Sequence, residues 1–157
     1  VGSEMCIRDR VGLGGVAAHV LCKLPRDAEG YMGRLRCVQE ISAVTAACMM
    51  VKTSVFKAVG GFDEELKVAF NDIDLCMKVR KYGVKIVFTP YAELYHYESK
   101  SRGMEDTPEK QLRFSREVNC FRRKWERELL KGDPYYNPNL TLNNTDCSLR
   151  KQEKNGD

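Results

Sequence analysis

Two side chains have the types and setting for chemistry. They are Asp72, in Phe70-Asn71-Asp72-Ile73-Asp74-Leu75-Cys76, and His96, which closes Leu94-Tyr95-His96. A carboxylate can take a proton from a hydroxyl, and a neutral imidazole can hold a divalent ion. Brought together at one end of a sheet, they would put a base and a metal ligand in one pocket. The same residues have a simpler account. Asn71 reads as a helix N-cap, which puts Asp72 and Asp74 in a first turn where the helix dipole favours negative charge. His96 reads on the same footing as a partly buried strand residue.

The elements that must position this pair follow from pattern. Ile41 to Val51 is a run of small and apolar residues that suits a strand buried on both faces. Thr53 or Ser54 then caps a short helix through Val59, which Gly60-Gly61 ends. Asn71 opens a helix that ends at Tyr82-Gly83. Val84 to Phe88 alternates as a strand, Pro90 breaks it, and Ala92 to Tyr97 is a short extended piece that delivers His96. Glu98 to Gly103 is polar and basic. Thr107-Pro108-Glu109-Lys110 is a strong helix start, and Phe114, Val118, Phe121, Trp125 and Leu129 then recur as one apolar stripe. The stretch 134–139 is irregular, and 151–157 reads as a frayed tail.

Upstream, Val11 to His19 reads as a glycine-rich strand end. It lacks the third glycine of a dinucleotide-binding fingerprint. Lys23 to Arg36, broken by Pro25, Gly30 and Gly33, reads as a loop. Residues 1–10 show neither helical nor strand periodicity and resemble extraneous sequence found at the ends of assembled metagenomic genes, so they are set apart from the fold.

Composition places the chain of 157 residues in the ordinary soluble class, with 43% hydrophobic and 31% charged residues. No apolar run approaches the roughly 20 residues a spanning helix needs. The seven cysteines are scattered, with no C-x-x-C pair, which fits a reducing compartment better than a disulfide framework or a zinc ribbon. A net charge of +4 suggests an anionic ligand or membrane surface only weakly.

Taken together, Val44 to Val51, then Val55-Phe56-Lys57-Ala58-Val59-Gly60-Gly61-Phe62-Asp63-Glu64, then Phe70 to Cys76, resemble the C-terminal half of a family 2 glycosyltransferase with the GT-A fold. Tyr95-His96 and Asp133-Pro134-Tyr135-Tyr136-Asn137-Pro138-Asn139-Leu140 resemble its rhamnosyltransferase-like branch. The resemblance runs from about Val11 to Arg150. It implies an α/β fold, the C-terminal part of a Rossmann-like mixed sheet with flanking helices. Residues 11–106 would be that half-domain and 107–150 a C-terminal helix with an irregular extension.

The resemblance also implies an inverting transfer of a sugar from a nucleotide-diphospho-sugar donor to a hydroxyl of a glycan or lipid-linked acceptor. Asp72 would be the base; Asn71 stands where the family usually has glutamate. His96 would join Mg²⁺ or Mn²⁺. Thr45, Ala46, Gly61, Phe62, Asp63 and Asp74 would line the substrates, and Lys100 and Arg102 would close over the phosphates. Asp72-Ile73-Asp74 has the D-x-D form of the family's metal motif, but it opens a helix after Gly-Gly-Phe-Asp-Glu, whereas that motif belongs at a strand end upstream. The nucleotide-binding half is therefore expected outside this chain, which would be a fragment inactive alone.

Phe121-Arg122-Arg123-Lys124-Trp125 departs from the Q-x-x-R-W of processive synthases, which favours single additions in cell-surface polysaccharide synthesis. The expected location is the cytoplasm, with peripheral contact at the inner face of the membrane. The rival reading is a non-catalytic module using the basic residues of 107–131 on anionic lipid or nucleic acid. It lacks aromatic residues interleaved with those bases on one face, and nucleic acid is not the expected partner.

Overall fold

The computed structural model describes residues 8–12, 15–19, 27–94, 107–144 and 146–150. Strand β1 (Arg8–Val11) is the middle of a three-stranded antiparallel sheet, flanked by β2 (Ala17–His19) and β4 (Ala43–Val44). The glycine-rich turn joins the first two: the Gly12 N–H donates to the Val16 carbonyl at 2.9 Å. Residues 8–10, set apart on sequence grounds, thus pair on both sides. Strand pairing uses backbone groups and does not require periodic side chains. A second antiparallel ladder joins β3 (Gln39–Glu40) to β5 (Val87–Phe88).

The run from Ile41 to Val51 is not one doubly buried strand. Burial holds from Ile41 to Thr45, but Thr45 then caps a 3₁₀ turn at Ala46–Cys48 and Met50 stands 99% exposed. The alanines at the turn have little surface to bury, so the local cap decides the backbone there. The expected strand from Val84 to Phe88 likewise pairs at Val87–Phe88, extended by an Ile41 N–H to the Ile86 carbonyl at 3.1 Å. Ala92–Leu94 carry no regular structure, and Tyr95 to Tyr97 lie outside the described residues.

Helix α1 (Thr53–Ala58) is capped by the backbone of Lys52 rather than by Thr53 or Ser54. It ends as expected at Gly60-Gly61. Gly61 has φ +65°, and a Cβ there would meet the Phe56 ring at 3.1 Å. Helix α2 (Asn71–Lys81) buries Ile73, Asp74, Leu75, Cys76, Met77 and Val79. Its N-cap is Phe70, in the left-handed region at φ 63°, and Asn71 is the first helical residue.

Helix α3 (Pro108–Lys131) starts where the sequence predicts, the Thr107 hydroxyl accepting from the Lys110 N–H at 3.4 Å. Its stripe reaches the interior through Phe121 and Trp125, while Phe114 remains 41% exposed. Phe121 and Trp125 share one apolar core with Val11, Ala43, Leu66, Leu75 and Phe88. Residues 107–131 are therefore built into the same body as the sheets.

Beyond α3, Asp133 draws the chain back to the first sheet. Its carboxylate accepts from the Val11 N–H at 3.3 Å, the Ser42 hydroxyl at 2.5 Å and the Tyr135 N–H at 2.8 Å. Tyr136, Leu140 and Cys147 close a small second cluster.

Candidate functional site

Asp72 sits in the first turn of α2, partly exposed. One carboxylate oxygen accepts from the N–H of Ile73 at 2.9 Å, and the other from the N–H of Ala46 at 3.0 Å. These two donors fix the direction of the carboxylate. Ala46 also lines a cavity of about 760 Å³ walled by Val44, Met49, Val55, Val79, Ile86 and Phe88. The bond from Ala46 thus ties Asp72 to one of the residues lining that cavity. Thr45, beside it, is buried, and its hydroxyl accepts from the Ala47 N–H at 3.4 Å, which shapes the turn.

Asp74, two residues on, points elsewhere. Residues two apart on a helix do not face each other. Its side chain has no solvent exposure. Trp125 donates its indole N–H to one oxygen at 2.8 Å and Lys124 approaches the same oxygen at 2.7 Å, while Lys78 pairs with the other at 3.0 Å. Asp74 is thereby enclosed among protein groups, not open to a ligand.

Gly61 and Asp63 are held by these lysines. Lys78 also donates to the Gly61 carbonyl, at 2.5 Å. Lys124 pairs with Asp63, whose other oxygen accepts from the Glu65 N–H at 2.9 Å. Phe62 is 45% exposed and lies edge-on to Phe56, 5.5 Å between ring centres. The Lys124 bond, then the Glu65 N–H, hold the Asp63 carboxyl below its ordinary range. Burial by itself would depress the Lys124 ammonium, but the bonds to Asp63 and Asp74 outweigh it, so the group titrates above its usual value.

Asp72, Thr45 and Ala46 are therefore brought together, whereas Asp63 and Asp74 are held by Lys124 of α3, Gly61 by Lys78 of α2, and Phe62 lies against Phe56 of α1. His96, Lys100 and Arg102 lie outside the described residues. Among the described residues, no three His, Cys, Asp or Glu side chains converge to hold a metal ion.

Sequence reasoning missed the grip of α3 on the entry to α2. Glu117 is buried, and its carboxylate accepts from the Ala69 N–H at 2.6 Å. The ring of Phe70 packs on Phe114 and Phe121, centres 5.8 and 5.2 Å apart. A left-handed backbone at a residue with a side chain costs about 1–2 kcal/mol, so packing must hold Phe70 there. The available signal was Glu117 itself, an acid three residues after Phe114 and four before Phe121, on the apolar stripe.

The bases of α3 are partly spent internally. Arg113 pairs with Glu117 at 3.7 Å, Arg122 donates to the Gly15 carbonyl at 3.2 Å, and Lys124 is committed as above. Among the described residues, no helix is long and apolar enough to cross a membrane.

Fold and site define a small mixed α/β unit with a helix-start carboxylate bonded to Ala46, one of the residues lining an apolar cavity. The chain is similar to an uncharacterised protein of Sinorhizobium fredii, y4gI, with 56% identity over 140 residues, covering 88% of this chain and 15% of that protein. It is 36% identical over 148 residues to the O-antigen biosynthesis protein RfbC of Myxococcus xanthus, covering 94% of this chain and 11% of that protein. Over 62 residues, 40% of the chain, it is 36% identical to an N-acetylglucosaminyl-diphospho-decaprenol L-rhamnosyltransferase of Mycobacterium tuberculosis, covering 20% of that enzyme. The chain thus spans between 11% and 20% of the length of these relatives. No family model and no solved structure matches it.

Proposed function

We propose that this chain is the acceptor-side part of a family 2, GT-A glycosyltransferase that adds single sugars during cell-surface polysaccharide synthesis. The observation that carries the reading is Asp72. It is a partly exposed carboxylate that accepts at 3.0 Å from the N–H of Ala46, a residue lining a cavity large enough for a substrate. Similarity to proteins named for O-antigen biosynthesis and rhamnosyl transfer supports it.

In this reading the acceptor hydroxyl enters beside Ala46 and hydrogen-bonds to Asp72. The hydroxyl oxygen attacks the anomeric carbon of a nucleotide-diphospho-sugar as its proton passes to the carboxylate. The bond from that carbon to the diphosphate breaks, and the nucleoside diphosphate leaves with the electron pair, inverting the centre. Asp72 is spent as an acid and returns its proton to solvent. The acceptor is a glycan or lipid-linked hydroxyl, met at the inner face of the membrane. His96 is assigned to a divalent ion, Mg²⁺ or Mn²⁺, and Lys100 and Arg102 to the diphosphate.

The test is Asp72→Asn in the longer protein that contains this chain, assayed by nucleoside diphosphate release from a panel of UDP-, dTDP- and GDP-sugars. Turnover should fall on the order of 10²–10⁴-fold with donor binding retained. Wild-type turnover in that variant removes Asp72 from the role. His96→Ala should raise the Mg²⁺ or Mn²⁺ concentration needed for half-maximal turnover, and an unchanged titration counts against the ligand assignment.

A further inference from the structure

We infer that α3 is the positioning element for the Asp72 carboxylate, holding the first turn of α2 from both sides of that residue. This rests on the proposed role of Asp72 as base for its catalytic meaning, but the mechanical claim stands on geometry alone. On the N-terminal side, Glu117 accepts from the Ala69 N–H at 2.6 Å, and Phe114 and Phe121 pack the left-handed Phe70. On the C-terminal side, Trp125 donates to Asp74 at 2.8 Å and Lys124 approaches it at 2.7 Å. Asp72 lies between these two fixed points, in the same helical turn.

Two further features fit a clamp better than ordinary helix packing. Glu117 and Asp74 are both essentially without solvent exposure, at 3% and 0%, and each carboxylate reaches across to the other segment, Glu117 to the Ala69 N–H just before α2 and Asp74 to Trp125 of α3, instead of to water. Helix α3 also departs from helical geometry at Trp125, with φ −115° and ψ 20°, at the residue that reaches Asp74. The Phe70 backbone, held in a conformation it would leave if released, supplies the element whose loosening would turn the start of α2. Such turning would part Asp72 from Ala46 and misplace a base relative to the hydroxyl it serves, a displacement to which transfer rates are steeply sensitive. Glu117 and Trp125 are thus positioning residues, acting through Ala69, Phe70 and Asp74.

The first measurement uses this chain by itself, without any sugar. In ¹H–¹⁵N spectra, Trp125→Phe, which keeps the ring and removes the indole donor, and Glu117→Gln should each shift the Ala46 amide resonance. Each should also speed its exchange roughly tenfold, while amides of the first sheet keep their rates. Lys124→Arg, which keeps the charge on Asp74, should leave Ala46 as in wild type. Should Trp125→Phe or Glu117→Gln not fold, Lys124→Met carries the test: Trp125 and Lys78 still hold Asp74 enough for folding, but one of the two α3 contacts to Asp74 is gone, so the Ala46 resonance should shift in the same sense and by less. Folded variants with an unmoved Ala46 resonance and unchanged exchange overturn the clamp.

In the longer protein, Trp125→Phe should lower kcat about ten- to a hundredfold with donor KM unchanged. An equal rise in KM with kcat intact would contradict positioning. The two readings fail separately: if Asp72→Asn transfers sugar normally, the base assignment is lost whatever Ala46 reports. If Asp72→Asn is inactive and Ala46 ignores α3, the clamp alone is lost.

Discussion

Asp72 and Asp74 stand two residues apart in the first turn of one helix and live in opposite surroundings. Asp72 is partly exposed and rests on two backbone N–H groups. Asp74 has no exposure and is held by two lysines and an indole N–H. The spacing sends the two side chains to different faces. The dipole account of two first-turn acids therefore describes a shared position and misses a division of labour: one acid is partly exposed and bonds the Ala46 N–H, the other locks the helix to its neighbour.

The largest expected contrast is between the two amide substitutions. Asp72→Asn should cost no more than about 1 kcal/mol in urea, because the amide oxygen can keep only one of the two backbone N–H bonds, while transfer collapses. Asp74→Asn should instead cost about 1.5–3 kcal/mol, since it removes the charge from a fully enclosed acceptor that bonds Trp125 and two lysines. Equal stability losses in the two variants would erase the distinction.

A smaller effect is expected where the Asp74 cluster meets the glycine turn. Gly61→Ala forces a positive φ on a residue with a Cβ and presses it on Phe56, which should cost about 1–2 kcal/mol in the same titration. A neutral result would mean that the turn does not need glycine.

The smallest effect is on pH. The Asp63 carboxyl is lowered, so its contribution to stability is complete above its ordinary value near 3.9 and fades as pH falls through the folded value. Lys124 is raised, so its contribution is complete below its ordinary value near 10.4 and fades as pH climbs past that through the folded value. The Asp63–Lys124 pair should therefore give a flat stability between about pH 5 and 9, with a fall toward pH 3 that Asp63→Asn makes shallower. An unchanged acid limb in Asp63→Asn would show the pair to be inert.

Local signals carried much of the architecture. The start of α3 was legible because Thr107 and Pro108 act within their own turn, and the end of α1 because Gly61 takes a backbone angle that glycine favours. The helix beginning at Asn71 was legible too, but its cap was not. Asn71 has the chemistry of a cap, yet Phe70 occupies that position in a left-handed conformation because Phe114 and Phe121 hold its ring. The Ile41–Val51 run departs from a strand for the converse reason: its apolar character continues past Thr45, where the Thr45 side chain turns the backbone into a 3₁₀ turn. Asp72 was singled out correctly as a helix-start acid, whereas its bond to Ala46 joins residues 26 apart and no local pattern reports it.

What the sequence determined by itself is the set of chemical groups and the short-range structure that presents them: a helix-start carboxylate, a glycine-ended turn and an amphipathic helix with a capped start. Those depend on interactions within a few residues, which spacing encodes. The tertiary structure decided which of two neighbouring acids is buried, which lysines are consumed inside, and that a helix far along the chain grips the turn bearing Asp72. Those outcomes depend on which faces meet across 48 residues from Ala69 to Glu117 and 51 from Asp74 to Trp125. Packing of one core selects those meetings, because a carboxylate leaves water only where donors are already waiting for it.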